Sequence, residues 1–263
     1  MCIKRVPLLG SAIVLTEDQR SIDTSRLGFT VSPHEECAVE AAVQLVEEHG
    51  GTITLLCLGP AAAVEQLREQ LALGPDRAIL LEAADEVEPQ ATAALMGAAI
   101  EADMAATGAP YDLILLGSES ADTAGYQTGI RLAHRLGLPA ITNVKGLAVA
   151  DGQVTGERAV GSAREVYRAP LPAVVTTKDG LNVPRYPSVP GRIKARKKAI
   201  DIQQVPLPAG VPAGAPAGGM GPRMEKLRLI VPVSEAKGAQ DLGTGDQAAA
   251  RLVEVIRQIG VLA

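Results

Sequence analysis

The sequence predicts an α/β fold built on a parallel sheet, and three observations carry that expectation. Short apolar runs closed by Gly or Pro alternate with longer stretches of helical periodicity. Of the 263 residues 47% are hydrophobic, yet the chain has one Phe, four Tyr and no Trp, so its core must be aliphatic. Such a core suits parallel strands, which are covered on both faces and read as continuous Val, Ile and Leu. Finally, the helical stretches open and close with capping chemistry, which separates them cleanly from the strands.

Residues 52–60 (TITLLCLGP) read as a buried strand closed by a Gly-Pro stop, and residues 77–81, 111–117 and 171–177 repeat the pattern. Residues 33–49 form a helix with Ser32 as N-cap, Pro33 at the first position and Glu35 as the capping-box partner. Residues 61–73 carry Val64, Leu67 and Leu71 at helical spacing and end at Gly74-Pro75. The stretches 89–107, which is Ala-rich, and 123–136 are helical. Alternation of this kind implies βαβ units with right-handed crossovers. Asp151-Gly152 between two alternating runs predicts a hairpin inserted after that core. At the front, MCIKRVP leaves only a stub of a first strand: either the strand is short or the start codon is displaced from the true beginning.

Two regions divide the chain, a 1–205 α/β domain and a 206–263 arm. Residues 206–222 (PLPAGVPAGAPAGGMGP) sustain neither helix nor central strand and read as an extended linker. Residues 246–259 then form an amphipathic helix with Leu252, Val255, Ile256 and Ile259 on one side. A lone helix of that length is marginal in water and needs a surface to dock on, in its own domain or on another chain.

Several function classes lack support. The net charge of −5 offers no field for nucleic acid or an anionic membrane. No apolar run is long enough to span a bilayer, and no leader-type segment opens the chain. Cys2, Cys37 and Cys57 have no metal or C-x-x-C spacing and read as buried thiols. His34, His49 and His134 stand singly on helical stretches. Walker-A, H-E-x-x-H, G-x-S-x-G and G-x-G-x-x-G motifs are absent, which shifts weight from enzyme to binding protein.

Two segments remain. In LLGSESADTAGYQTG (115–129) an apolar strand ends at Gly117, a small-residue loop follows, and a helix begins. Ligands of open α/β sheets bind beyond the carboxyl ends of strands, and helix-start N–H groups with hydroxyls such as Thr123 and Thr128 suit a phosphate. The competing reading is an ordinary strand-to-helix turn capped by Asp122 or Thr123. NVPRYPSVPGRIKARKK (182–198) is stiffened by three prolines in front and basic behind. It reads as a solvated loop, an RNA contact lacking stacking aromatics apart from Tyr186, or a partner-recognition loop.

Taken together the residues resemble the electron transfer flavoprotein beta subunits. CIKRVP is similar to that family's first-strand signature, and SPHEECAVEAA, the Gly-Pro after the second strand and ADTAGYQTG also match. Most specific is LPAVVTTKDGLNVPRYPSVPGRIKARKK, whose L-N-x-P-R-Y core is a family hallmark. The resemblance runs in order from residue 1 to about residue 200; after 222 only the layout is similar.

The resemblance implies a three-layer, Rossmann-like fold of the adenine-nucleotide α-hydrolase type with an extended C-terminal arm. It implies a cytoplasmic, non-enzymatic electron carrier that works as a heterodimer with an alpha subunit. That subunit holds most contacts to FAD, while the beta subunit binds AMP structurally or, in bifurcating relatives, a second FAD. Carried over by position, the nucleotide site uses Ile3, Lys4, Ser32, Leu58, Gly59, Asp122, Thr123, Gln127, Thr128 and Gly129. Tyr186, Pro187, Val189, Pro190, Ile193 and Lys194 fall in the loop that anchors flavin dehydrogenases, and the tail helix clasps the alpha subunit. The sequence departs from the family at Ser32, usually asparagine, at Tyr126 and Thr123, and at Val189, commonly leucine. Two rivals fit less well. A stand-alone enzyme such as an ATP-pyrophosphatase needs a glycine-rich loop that VPLLGS does not supply. A nucleotide sensor resembling a universal stress protein would leave L-N-V-P-R-Y and the tail helix without a role.

Overall fold

The structure is a computed structural model describing residues 1–8, 10, 13–83, 87–205, 227–232 and 239–261. The linker assigned to 206–222 lies outside the described residues.

Two groups of parallel strands form the central layer. In the first, β1 (Cys2–Ile3) pairs with β4 (Thr54–Gly59), β4 with β5 (Arg77–Glu82), and β5 with β12 (Ile200–Gln204). In the second, β11 (Ala173–Thr177) lies between β6 (Leu113–Gly117) and β7 (Ala140–Val144). β1 lies beside β6, so the groups meet there. Strand β12 went unread in the sequence because IDIQQ is too polar to resemble a buried run; it sits at a sheet edge, half exposed.

Side-chain alternation shows that both groups share the same two faces. Ile3, Leu55, Cys57, Leu80, Leu115 and Val175 point to one, against Val39 and Val43 of α1 (Pro33–His49) and Leu67 and Leu71 of α2 (Val64–Leu71). Cys2, Leu56, Ile79, Ile114, Leu116 and Val174 point to the other. There they meet Met96 and Ile100 of α3 (Pro89–Thr107) and Leu132 of α4 (Thr128–Leu136). Period-2 burial on both faces is the reason these strands read as unbroken apolar runs. The parallel-sheet α/β reading therefore holds.

Three local expectations change. Helix α4 begins at Thr128 rather than 123, because Ala124 and Tyr126 take left-handed φ values of 45° and 54°, which a helix cannot accommodate. The basic half of the 182–198 loop is a helix, α5 (Val189–Lys197). Ser188 caps it by accepting from the Gly191 N–H at 3.1 Å, and Pro190 falls in the first turn, where a missing N–H costs nothing. The third change enlarges the hairpin. Asp151-Gly152 does turn β8 (Gly146–Ala150) into β9 (Gln153–Val160), but β10 (Ala163–Pro170) adds a third antiparallel strand. The short strands β2 (Arg5–Pro7) and β3 (Phe29–Val31) pair antiparallel ahead of α1. Helix α6 (Gly245–Gln258) buries none of its residues, and its Leu252 is 47% exposed.

β9 docks on β7 through Gly156. A methyl built there would lie 2.7 Å from Ile141 Cγ2 and 2.8 Å from Val144 Cγ1, both β-branched residues of the core. Gly156→Ala is therefore expected to destabilise the fold by about 1–3 kcal/mol, read as a lower urea midpoint. An unchanged midpoint would mean that the antiparallel sheet slides freely over β7.

Candidate functional site

Strand order reverses at β1. The chain runs from β1 outward through β4 to β5, then returns to place β6 on the other side of β1. Such a reversal opens a crevice at the carboxyl ends of the strands. Ile3 and Lys4 stand there at the end of β1, Leu58 and Gly59 at the end of β4, and Gly117-Ser118 at the end of β6. Ile3 and Leu58 are buried in the core, so they offer the crevice main chain rather than side chain.

The loop after β6 closes over this floor. Lys4 Nζ donates to Asp122 Oδ2 at 2.6 Å, tying the first strand to a residue 118 positions later. Burial alone would raise the Asp122 carboxyl, but the ammonium outweighs it and holds the carboxyl below its ordinary value. The Ser120 and Thr123 hydroxyls share a hydrogen bond of 2.8 Å. Ser32 Oγ donates towards the Glu119 carbonyl at 3.5 Å, which brings the start of α1 to the same loop.

Not every carried-over residue offers a free side chain. Gln127 Oε1 accepts from Arg131 Nε at 3.1 Å and Nη2 at 2.9 Å, so its oxygen is engaged along α4. Gly129 is a packing residue: a methyl there would sit 2.3 Å from Thr176 Cγ2. Thr176 cannot turn away cheaply, because its hydroxyl pairs with Ser118 Oγ at 3.0 Å and accepts from the Asn143 N–H at 3.1 Å. What α4 does present is its first-turn N–H groups at Thr128 and Gly129, with the partial positive charge of a helix start.

Glu35 gained only a capping role from the sequence, yet it anchors the polar edge. Its carboxyl is buried and accepts from the Ser32 N–H at 3.4 Å and the Ser32 hydroxyl at 3.2 Å, closing the capping box. Gly117 makes room for it: a methyl on Gly117 would lie 2.7 Å from Glu35 Cγ. Burial pushes the Glu35 carboxyl up to about 8, against opposing hydrogen bonds from the Lys4 and Ser32 backbone. Nearby His34, paired with Glu119 at 3.5 Å, is held below its ordinary value chiefly by burial. Capping-box spacing was the one available signal for Glu35; its contact with β1 joins elements remote in sequence.

The segment L-N-V-P-R-Y is bolted to α1. Asn182 Nδ2 donates to the Cys37 carbonyl at 2.9 Å. Arg185 grips the buried Glu40 carboxylate through Nε at 2.9 Å and Nη2 at 3.1 Å, and Glu47 through Nη1 at 2.6 Å. Helix α5 is seated by Arg68, which donates to the Ala195 carbonyl at 2.6 Å, and by Gly191 packed over the Ala72 carbonyl. These anchors leave Tyr186 95% exposed and Val189 71% exposed, with Pro190, Ile193 and Lys194 exposed beside them and Pro187 half-buried.

Two outcomes follow from these contacts. Unfolded, the Glu35 carboxyl titrates near 4.5; folded, it keeps its proton to about 8. Between those values the native state binds the extra proton, so this residue makes stability fall as pH rises through that window. Glu35→Gln should flatten that slope and be more stable than the parent at pH 8 in urea titrations; parallel profiles would contradict the assignment. Arg185→Lys keeps the charge but loses the planar fork, and should cost about 1.5–3 kcal/mol in unfolding free energy. A loss no larger than that of an exposed lysine swap would show that Glu40 needs no fork.

Comparison with known proteins matches this architecture. A family model described as "Electron transfer flavoprotein domain" covers residues 20–208. "Electron transfer flavoprotein subunit beta" of Bacillus subtilis (strain 168) is 35% identical over 191 residues, 71% of this chain and 73% of that protein. The like-named protein of Bradyrhizobium diazoefficiens is 34% identical over 199 residues, 75% of this chain and 78% of the relative. That of Mycobacterium leprae (strain TN) is 32% identical over 205 residues, 76% of each. With its parallel sheet, its strand-end crevice and these matches over most of its length, the chain belongs to the electron transfer flavoprotein beta-subunit family.

Proposed function

We propose that this chain is the beta subunit of a cytoplasmic, heterodimeric electron transfer flavoprotein and binds AMP as a structural ligand. The observation that carries the nucleotide assignment is the polar crevice at the strand-order reversal, where Lys4, Asp122, Ser32 and Thr123 converge beside the start of α4. The Thr128 and Gly129 N–H groups and the Thr123 hydroxyl suit a phosphate, and the Lys4–Asp122 pair sets the loop at its distance from β1. The adenosine lies along the main chain of Ile3, Leu58 and Gly59, where buried side chains leave only backbone donors and acceptors in reach.

Electron transfer itself belongs to an FAD held mainly by an alpha subunit, and that flavin supplies the redox chemistry. This chain contributes geometry. The uncovered α6 gives the arm a helix with which to clasp the alpha subunit. The exposed Tyr186 and Val189, with Pro187, Pro190, Ile193 and Lys194, form a rigid apolar platform for a flavin dehydrogenase. Because Arg185 and Asn182 hold its base on α1, that platform loses little freedom on binding.

Nucleotide and flavin released by denaturation, measured for the chain alone and co-purified with an alpha-type subunit, test the proposal. One FAD and one AMP per heterodimer is the expected result, with Asp122→Ala lowering AMP while FAD stays bound. Two FAD would instead place a second flavin in this subunit. Absence of both flavin and a stable partner would leave an isolated adenine-nucleotide-binding protein and overturn the carrier assignment.

A further inference from the structure

A second crevice opens where β7 and β11 end. It is a cavity of about 290 Å³ whose lining includes Asn143, Lys145, Arg158 and Lys178. Lys145 directly follows β7 and Lys178 directly follows β11. Their main chains are pinned, because the Lys145 N–H donates to the Glu157 carbonyl at 2.7 Å and the Lys178 N–H to the Val144 carbonyl at 2.9 Å. Two ammonium-bearing side chains thus start from neighbouring, ordered points on one rim.

Two of the surrounding carboxylates, Glu165 and Glu157, are engaged by arginines. Arg158 spends its charge on Glu165, at 2.7 Å from Nε, and its remaining nitrogens on Thr142 and Tyr167. Glu157 pairs with Arg164 at 3.1 Å, and Glu119 faces His34 at 3.5 Å. Asp179 is exposed next to Lys178. Among the described residues neither Lys145 nor Lys178 meets a carboxylate within ion-pair distance. The third feature is Asn143. It has a left-handed φ of 59° opposite an irregularity in the β7–β11 register, and its carboxamide oxygen is buried without a donor. An orphaned acceptor of this kind is costly unless a ligand supplies the donor.

We propose that this crevice binds a phosphoryl group, with Lys145 and Lys178 taking its negative charge and Asn143 accepting its P–O–H proton. Hydrogen phosphate carries two negative charges and one hydroxyl donor, which answers both the pair of unpaired ammonium groups and the orphaned acceptor. Sulfate matches the charge but brings no donor at neutral pH. The group has two chemical sources: free phosphate, or the terminal phosphate of a nucleotide longer than AMP reaching across from the neighbouring crevice. His34 stands between the two crevices, paired to Glu119 on one side and, beyond the dominant effect of burial, feeling the charges of Asp179, Lys178 and Lys145 on the other. Only the second source rests on the nucleotide reading above.

Inorganic phosphate titrated into the full chain at saturating AMP, followed by phosphorus NMR line broadening, tests the site. Saturable binding is expected, weaker for sulfate in competition, and weakened about tenfold for each lysine removed in Lys145→Gln and Lys178→Gln. If phosphate alone fails to bind but ADP binds more tightly than AMP in a lysine-dependent way, the phosphoryl group comes from the nucleotide. A double variant that binds phosphate like the parent, or a parent that binds neither probe, overturns the proposal. AMP content after denaturation separates the two readings: unchanged content with lost phosphate binding leaves the nucleotide site standing by itself.

Discussion

A sheet whose strands are aliphatic on both faces has to be covered on both faces, and the rest of this molecule follows from that requirement. Leu55 and Leu56, adjacent in β4, are both buried yet enter different cores. Helices α1 and α2 must therefore lie on one side and α3 and α4 on the other. With right-handed crossovers, a chain that begins in the middle of its sheet can supply both layers only by reversing direction once. The reversal occurs beside β1, and the crevice it leaves is where main-chain groups escape the helical cover. The location of the candidate site is thus a consequence of covering the sheet.

Small residues set how closely the layers approach. Gly117 admits Glu35, Gly129 lets α4 settle on Thr176, and Gly156 lets the antiparallel sheet settle on β7. Each lies at a contact where any side chain would push two elements apart. Several polar groups trapped by that close approach are then satisfied locally. Thr177 Oγ1 donates to the His34 carbonyl at 2.7 Å, Ser118 pairs with Thr176, and Ser32 with Glu35. A buried network of this kind holds strand ends and helix starts in one geometry because every broken bond would strand a group away from water.

The segment around Arg185 follows a different logic. Its apolar residues face outward, and its polar ones face in. Arg185 and Asn182 act as inward fasteners, and Pro184 between them and Pro187 beyond remove the freedom that would let Val183 and Tyr186 fold back on the domain. An exposed apolar platform of this kind costs solubility. Helix α6 shows the same pattern in another form, an apolar stripe that the described domain leaves uncovered.

Local chemistry is what the sequence determined. Apolar runs, capping signals and the Asp151-Gly152 turn specified the strands, helix α1 and the hairpin because each is decided within a few residues of itself. The ordered motifs identified the family, and LNVPRY marked the segment whose anchors the structure then explained. Long-range proximity was decided by the tertiary structure alone. Helix α4 starts late because Ala124 and Tyr126 are bent into left-handed backbone in a loop tied down through Lys4 and Asp122. β12 is a strand because β5 offers it an edge, although its own residues are too polar to announce it. Glu35 becomes a buried, protonated acid only once β1, Gly117 and Ser32 enclose it. The lysines at 145 and 178, 33 residues apart, share a crevice only because β7 and β11 are neighbours in the sheet. A linear pattern records what a residue prefers; the energy of a buried charge or an ion pair depends on neighbours that only the folded chain brings within reach.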